Sequence, residues 1–209
     1  MPGTTPIYGF PYPEATDLVA DYPALGQQLA EDVETELAAV GGGLVHLHTE
    51  TFTTVSSVSV NNIFTSTYAN YRIVVNLTAS STNLALRART RLAGSDDTGS
   101  NYYTSRYYIG TTGAGAGSAV GAADTAWVIF DASDSTSTNN HGSFDLYTPL
   151  ASVRKQGTGL CSQQNPSAVG YGFTTYFNKI VTTNYDGLTL YTSTGTASGV
   201  LRIYGYQNA

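Results

Sequence analysis

From Leu44 onward the chain runs through short stretches in which apolar and polar residues alternate, each bounded by Gly, Asn, Asp, Ser or Pro. A period of two puts successive side chains on opposite faces of a strand, and turn residues at this spacing read as a sandwich or barrel. The pattern predicts ten strands, near 45–52, 56–60, 70–78, 83–92, 102–109, 126–130, 142–147, 170–177, 187–192 and 197–206. In the fourth, Leu84, Leu86, Ala88 and Leu92 alternate with Arg87, Arg89 and Arg91, which predicts one core face and one cationic row. The small-residue run 110–121 and the polar run 131–141 read as exposed loops, where β-sandwich proteins place recognition.

Before Leu44 the period changes. Pro23 sits where a first helical turn tolerates proline, and Gly41-Gly42-Gly43 ends the pattern. Between them Ala30, Val33, Leu37 and Val40 recur at 3-4-3 spacing, with Leu25 and Leu29 beside them, so a helix with one apolar stripe is predicted. An isolated helix this short is marginal in water. The stripe therefore packs either on the chain's own β-domain or on identical copies and neighbouring subunits, with Leu25, Leu29, Val33, Leu37 and Val40 as the oligomerisation residues. Further upstream Pro2, Pro6, Pro11 and Pro13 hold the chain extended while Ile7, Tyr8, Phe10 and Tyr12 offer large apolar side chains without a core of their own. Those four are the candidate anchoring residues. The fold class expected is mainly β: an extended Pro-rich anchoring segment over 1–21, one short α-helix over 22–41 for oligomerisation or docking, and an antiparallel, jelly-roll-like β-sandwich head domain over 44–209.

Composition sharpens this picture. Ser and Thr make up roughly a quarter of the 209 residues and charged residues only 11%, against about a quarter charged in ordinary soluble domains. No Lys or Arg precedes Arg72, while Glu14, Asp17, Asp21, Glu31, Asp32, Glu34 and Glu36 crowd the first 40 residues; the remainder is nearly neutral. A chain without clustered cations lacks the footprint of a nucleic-acid binder. No segment reaches the roughly 18 apolar residues of a membrane span, and the terminus lacks the basic and apolar regions of a signal peptide. Membrane insertion is not expected, and synthesis in the cytosol without secretion through a signal peptide is. The single cysteine, Cys161, can make no intramolecular disulfide and reads as a small semi-buried residue.

Candidate chemistry is sparse. There is no G-x-S-x-G turn, and only three histidines could serve as a base. A glycosidase would need a carboxylate pair from Asp124, Asp131, Asp134 or Asp145, which scattered loop positions do not favour. His46 and His48, two apart on a strand, point the same way and either chelate a metal, three pairs meeting on a trimer axis, or simply line a half-exposed strand face. Arg87, Arg89 and Arg91 either bind an acidic glycan or, more plainly, pair with the acidic helix residues 31–36 of the same or a neighbouring copy. Tyr102, Tyr103, Tyr107 and Tyr108 form the densest aromatic cluster, either a ligand platform for sugar or protein or a set of cross-strand pairs. No cofactor is expected, and no catalytic residue.

Several stretches resemble bacteriophage minor tail proteins and tail or head fibre proteins of actinobacterial phages: Tyr8-Gly9-Phe10-Pro11-Tyr12-Pro13 with Ala15-Thr16-Asp17-Leu18-Val19, then Leu29-Ala30-Glu31-Asp32-Val33. Leu44-Val45-His46 leading into Phe52–Val60, and the ending Leu201-Arg202-Ile203-Tyr204-Gly205-Tyr206, complete the match. It covers both ends and the first strands, whereas residues 94–170 are individual to this chain. The resemblance implies a non-enzymatic virion structural protein, usually trimeric, attached to other virion proteins through its N-terminus and projecting a β-domain outward; the tyrosine cluster adds host cell-surface glycan as a candidate partner. It carries over no catalytic residues. The expectation is a tail-associated fibre or receptor-binding subunit; a capsid decoration or head fibre is the alternative, and a virion-associated glycan-degrading enzyme the second.

Overall fold

The computed structural model describes residues 3–4, 9–12, 19, 22–39, 43–111, 116–132, 140–164 and 170–207. The chain forms two compact units, one comprising 1–43 with 207–209 and the other 44–206.

In the first unit β1 (Gly3–Thr4) pairs antiparallel with β2 (Pro11–Tyr12), so the Pro-rich stretch folds back on itself instead of running extended throughout. The helix α1 covers Tyr22–Ala39 as expected. Gln27 Nε2 donates to Glu31 Oε1 at 2.8 Å, one turn on, and Thr35 Oγ1 back-bonds to Glu31 O. Along the predicted stripe Leu25 and Val33 are half-buried and Leu29 is exposed. Phe10 is half-buried and Tyr12 exposed. The side chain of Leu37, and Ile7, Tyr8 and Val40 altogether, lie outside the described residues. No helix among the described residues is long and apolar enough to cross a membrane.

The second unit is an antiparallel β-sandwich. Its strands are β3 (Leu44–Val55), β4 (Ser57–Val60), β5 (Asn70–Ser80), β6 (Leu84–Leu92), β7 (Ser95–Asp96), β8 (Tyr102–Gly110), β9 (Gly117–Asp124), β10 (Trp127–Ala132), β11 (Asn140–Tyr147), β12 (Lys155–Gln164), β13 (Gly170–Lys179), β14 (Gly187–Thr192) and β15 (Ala197–Tyr206). The large sheet has the order β3-β15-β5-β11-β12-β13-β8-β9, and the small one β10-β6-β14-β4 with β7 beside β6. The first four strands of the large sheet and the four of the small one match pairwise: β3 continues into β4, β5 into β6, β10 into β11 and β14 into β15, each crossing from one sheet to the other. That double Greek key is the jelly roll. The hairpins β8–β9 and β12–β13 are insertions that widen the large sheet by four strands.

Alternation builds the core. On β5 Tyr71, Ile73, Val75 and Leu77 are fully buried, and across the sandwich Leu84, Leu86 and Ala88 of β6, Leu188 and Leu190 of β14, and Trp127 and Phe130 of β10 face them. Burying side chains of this size is worth about 1.5–3 kcal/mol each before entropy is counted. Gly199 sits at a register shift between β15 and β5, where an added Cβ would lie 2.2 Å from Asn76 O, so the strands close only over glycine.

All ten predicted strands are present, and three departures have physical causes. The second half of the run 110–121, expected as loop, belongs to the edge strand β9 (Gly117–Asp124); small residues suffice there because only one side pairs, with β8. β12 was not predicted because its inward positions include Gly157 and Gly159, yet it is central. Phe177 and Phe144 stand directly opposite these glycines and cover them, an added Cβ on Gly157 falling 2.1 Å from the Phe177 ring. Leu92, expected in the core, is 45% exposed: it flanks the two-residue turn Ala93-Gly94 (φ 49° and 79°) that leads into β7, and Thr90 takes the last inward position. Of the predicted 131–141 loop, Asp131 and Ala132 belong to β10 and Asn140 and His141 to β11; 133–139 lie outside the described residues.

Candidate functional site: the outer face of the large sheet

The strands β8, β11, β12 and β13 send their out-of-phase residues away from the core. Tyr103 and Ser105 from β8, Tyr147 from β11, Gln156 and Thr158 from β12, and Tyr176 and Asn178 from β13 together line a groove of about 380 Å³, with Val120 and Gly121 of β9 at its margin. Three phenol rings thus frame a floor of amides and hydroxyls. Tyr147 Oη lies 3.3 Å from Thr158 Oγ1, and Tyr176 is 57% exposed. Tyr107, Ile109, Val120 and Leu160 continue the same face as exposed apolar side chains.

Beside it a second groove of about 270 Å³ shares Thr158 and Tyr176 and ends in charge. Asp145 accepts from Arg72 through both oxygens, each at 2.8 Å, and Oδ1 also accepts from Tyr206 Oη at 2.7 Å. The bidentate pair holds Arg72 protonated above its ordinary range. Burial, reinforced by the neighbouring Asp145 carboxylate, pushes the Tyr206 hydroxyl up to about 12. The site therefore offers flat apolar rings, uncharged hydrogen-bonding groups and one neutralised ion pair, a surface suited to polyhydroxylated or peptide ligands.

The tyrosines predicted as one platform split between faces. Tyr102 is fully buried: its ring meets Trp127 edge-on at 5.1 Å, Thr90 N donates to its hydroxyl at 3.2 Å, and that hydroxyl donates to Asp97 O at 2.8 Å. It is a core residue and is removed from the ligand set. Tyr108 packs on Phe173 at 5.8 Å on the same inward side, leaving only Tyr103 and Tyr107 outside. Tyr147 and Tyr176 were missed, although Tyr176 falls out of phase with Phe173, Thr175 and Phe177, which is the signal that marks it as outward.

The arginine row is engaged within its own unit. Arg87 pairs with Asp124 at 3.3 Å; Arg89 donates to Thr125 O at 3.0 Å and stacks over Tyr191 at 4.4 Å; Arg91 pairs with Asp96 and donates to Asn61 Oδ1 at 2.8 Å. His46 meets Thr49 Oγ1 at 2.8 Å and lies edge-on to Tyr204, whereas His48 faces Glu50 at 3.5 Å. No group of three or more His, Cys, Asp or Glu among the described residues is placed to hold a metal. Asp131 pairs with Arg106 at 2.8 Å, and Asp134 lies outside the described residues. Cys161 is half-buried, and burial pushes its thiol up to about 12.

Titration of these groups predicts an alkaline limit. Tyr71, Tyr102, Tyr185 and Tyr206 all hold their protons more tightly than the ordinary value of 10.0, chiefly through burial. A raised folded pKa stabilises fully below the unfolded value and loses that contribution as pH climbs toward the folded one. Lys155 is lowered from 10.5 by burial and acts oppositely, adding stability with rising pH only until 10.5. The melting temperature is therefore expected to fall steadily above pH 10.5, as calorimetry between pH 8 and pH 12 would record; a flat profile there would contradict the burial of these phenols.

Compared with protein-family models and with curated proteins, the chain matches none.

Proposed function

We propose that the chain is a non-enzymatic phage virion subunit, a tail-associated fibre or receptor-binding protein. Its N-terminal unit attaches to other virion proteins, and its jelly roll meets the host surface, working as a homotrimer. The observation that carries the recognition part is the outer face of the large sheet, where Tyr103, Tyr147 and Tyr176 frame Gln156, Thr158 and Asn178. A pyranose ring stacks its C–H face on a phenol while neighbouring amides bind its hydroxyls, and neither contact needs a charge. Cell-surface glycan is accordingly the ligand class proposed. The virion assignment rests on the N-terminal and C-terminal stretches that resemble actinobacterial phage tail and fibre proteins.

The test uses the full chain, fluorescently labelled, on envelopes of actinobacteria, with antibodies against it applied to particles of a phage that encodes it. Saturable binding competed by soluble envelope glycan, together with label at the tail, is the expected result. Absence of binding to every susceptible envelope removes adhesion, and label spread over the capsid lattice replaces the tail fibre with a decoration protein.

A further inference from the structure

The chain contains two lysines, and both are fully buried, although Lys is among the residues least often found inside a fold. Their surroundings differ. Lys155 Nζ is capped by two backbone carbonyls, Ala151 O and Val153 O. Lys179 Nζ instead sits 3.4 Å from the centre of the Tyr102 ring, 2.9 Å from Asp97 Oδ2, and donates a hydrogen bond to the side-chain Oδ1 of Asn101. An amine, a carboxamide and a carboxylate thus converge in a pocket walled by Tyr102, Tyr185 and, behind Tyr102, Trp127.

We infer that Lys179 and Asn101 become joined by an intramolecular isopeptide bond, with Asp97 carrying the proton. Hydrogen bonding to Oδ1 puts the amine next to the Asn101 carbonyl carbon, the near-attack arrangement that replaces a bimolecular encounter. The Asp97 carboxylate spans both ends of the reaction. Its Oδ2 receives Lys179 and the Tyr185 hydroxyl. Its Oδ1 accepts from Gly99 N at 2.9 Å on the side where the Asn101 amide nitrogen lies, for a single Cβ built on Gly99 would touch both groups. Burial works against the charge on Asp97, yet hydrogen bonds from Tyr185, Gly99 and Lys179 hold its carboxyl below the ordinary carboxylate range, so Asp97 is the ionised base to which the Lys179 ammonium gives its proton as it attacks. Burial lowers Lys179 to about 8, in the same direction.

The amine lone pair then attacks Asn101 Cγ, forming the new C–N bond as the carbonyl π pair moves to Oδ1. Asp97 gives its proton to Nδ2 and takes one from the attacking nitrogen. The Cγ–Nδ2 bond breaks, and ammonia leaves with its electron pair and accepts the remaining proton. One ammonium and one primary amide yield one secondary amide and ammonium, with no oxidant or added reactant. Lys155, whose nitrogen donates to two backbone carbonyls and lies 5.9 Å from the centre of the Tyr185 ring, meets no side-chain carboxamide in these contacts.

The bond ties the end of β13 to the residue preceding β8, where Lys179 already stands opposite Tyr102 and Ile180 N donates to Asn101 O at 3.1 Å. These two strands carry Tyr176 and Tyr103, and the only cysteine, Cys161, offers no disulfide to do the same. The inference is independent of what the groove binds.

Tryptic digestion and mass spectrometry of the full chain test it. The expected product is peptide 92–106 joined through Lys179 to peptide 156–202, one ammonia lighter than the pair, with no cleavage after Lys179. K179R and N101A should each lack the joined product, and D97A should lack it at folding times over which the unsubstituted chain is complete. Separate peptides 92–106, 156–179 and 180–202 from the unsubstituted chain overturn the inference whether or not the variants fold. So does a joined product lighter by one water, which would place the bond on Asp97, or an ammonia loss confined to 92–106, which would be a cyclic imide.

Discussion

Trp127→Ala is expected to lower the unfolding free energy of the jelly-roll unit by about 3–5 kcal/mol, the range for emptying a buried tryptophan site. Trp127 is fully buried and packs on two other rings, Tyr102 at 5.1 Å and Phe177 at 4.9 Å. Phe177 in turn covers Gly157 of β12, so the cavity would open beneath the inserted strands as well as between the sheets. A second cost is polar, because Trp127 Nε1 donates to Asn178 O at 2.8 Å and alanine leaves that carbonyl without this donor. Trp127→Phe keeps most of the volume but not the hydrogen bond, and its loss should be the smaller of the two. Urea unfolding followed by circular dichroism is the measurement, since Trp127 is the chain's only tryptophan and fluorescence would vanish with it. Domains of this size are stable by about 5–15 kcal/mol in total, so the midpoint should fall steeply with little change in slope. A loss under about 1 kcal/mol would mean that the ring cluster is not the centre of the core.

On the proposed function, Tyr176→Ala should weaken binding to envelope glycan by roughly thirty-fold, about 2 kcal/mol, as for an aromatic anchor at the centre of an interface. Tyr176 is the one ring shared by both grooves, and at 57% exposure its removal should change stability by less than about 0.5 kcal/mol. Tyr103→Ala, at one margin, should cost less. Val153→Ser, exposed outside either groove, should leave affinity unchanged. Equal affinity in Tyr176→Ala and the unsubstituted chain would move the binding surface off this face, whereas loss in Val153→Ser as well would point to general surface hydrophobicity.

The same geometry shows why part of the site escaped a reading of the chain alone. Tyr103 and Tyr107 were singled out because they are close in sequence, yet Tyr102 and Tyr108 beside them turn inward, since neighbours on a strand cannot share a face. The other half of the groove comes from Tyr147 and Tyr176, brought alongside by the pairings of β11 with β12, β12 with β13 and β13 with β8. Similarly, Asp96 on β7 beside β6, and Asp124 at the end of β9 just ahead of β10, reach Arg91 and Arg87 within the sandwich, partners that no local pattern along β6 announces.

By itself the sequence determined what depends on neighbours along the chain: the helix ended by glycines, ten strands marked by alternation, and the absence of a disulfide from a single cysteine. Tertiary structure decided what depends on the space between strands. β12 exists because Phe144 and Phe177 of flanking strands fill the room above Gly157 and Gly159, which no local pattern records. Lys179 reads as an ordinary surface cation until β13 lies against β8 and carries it beneath Tyr102, beside Asp97 and Asn101. Alternation specifies which way a side chain points; only strand pairing specifies what it meets there.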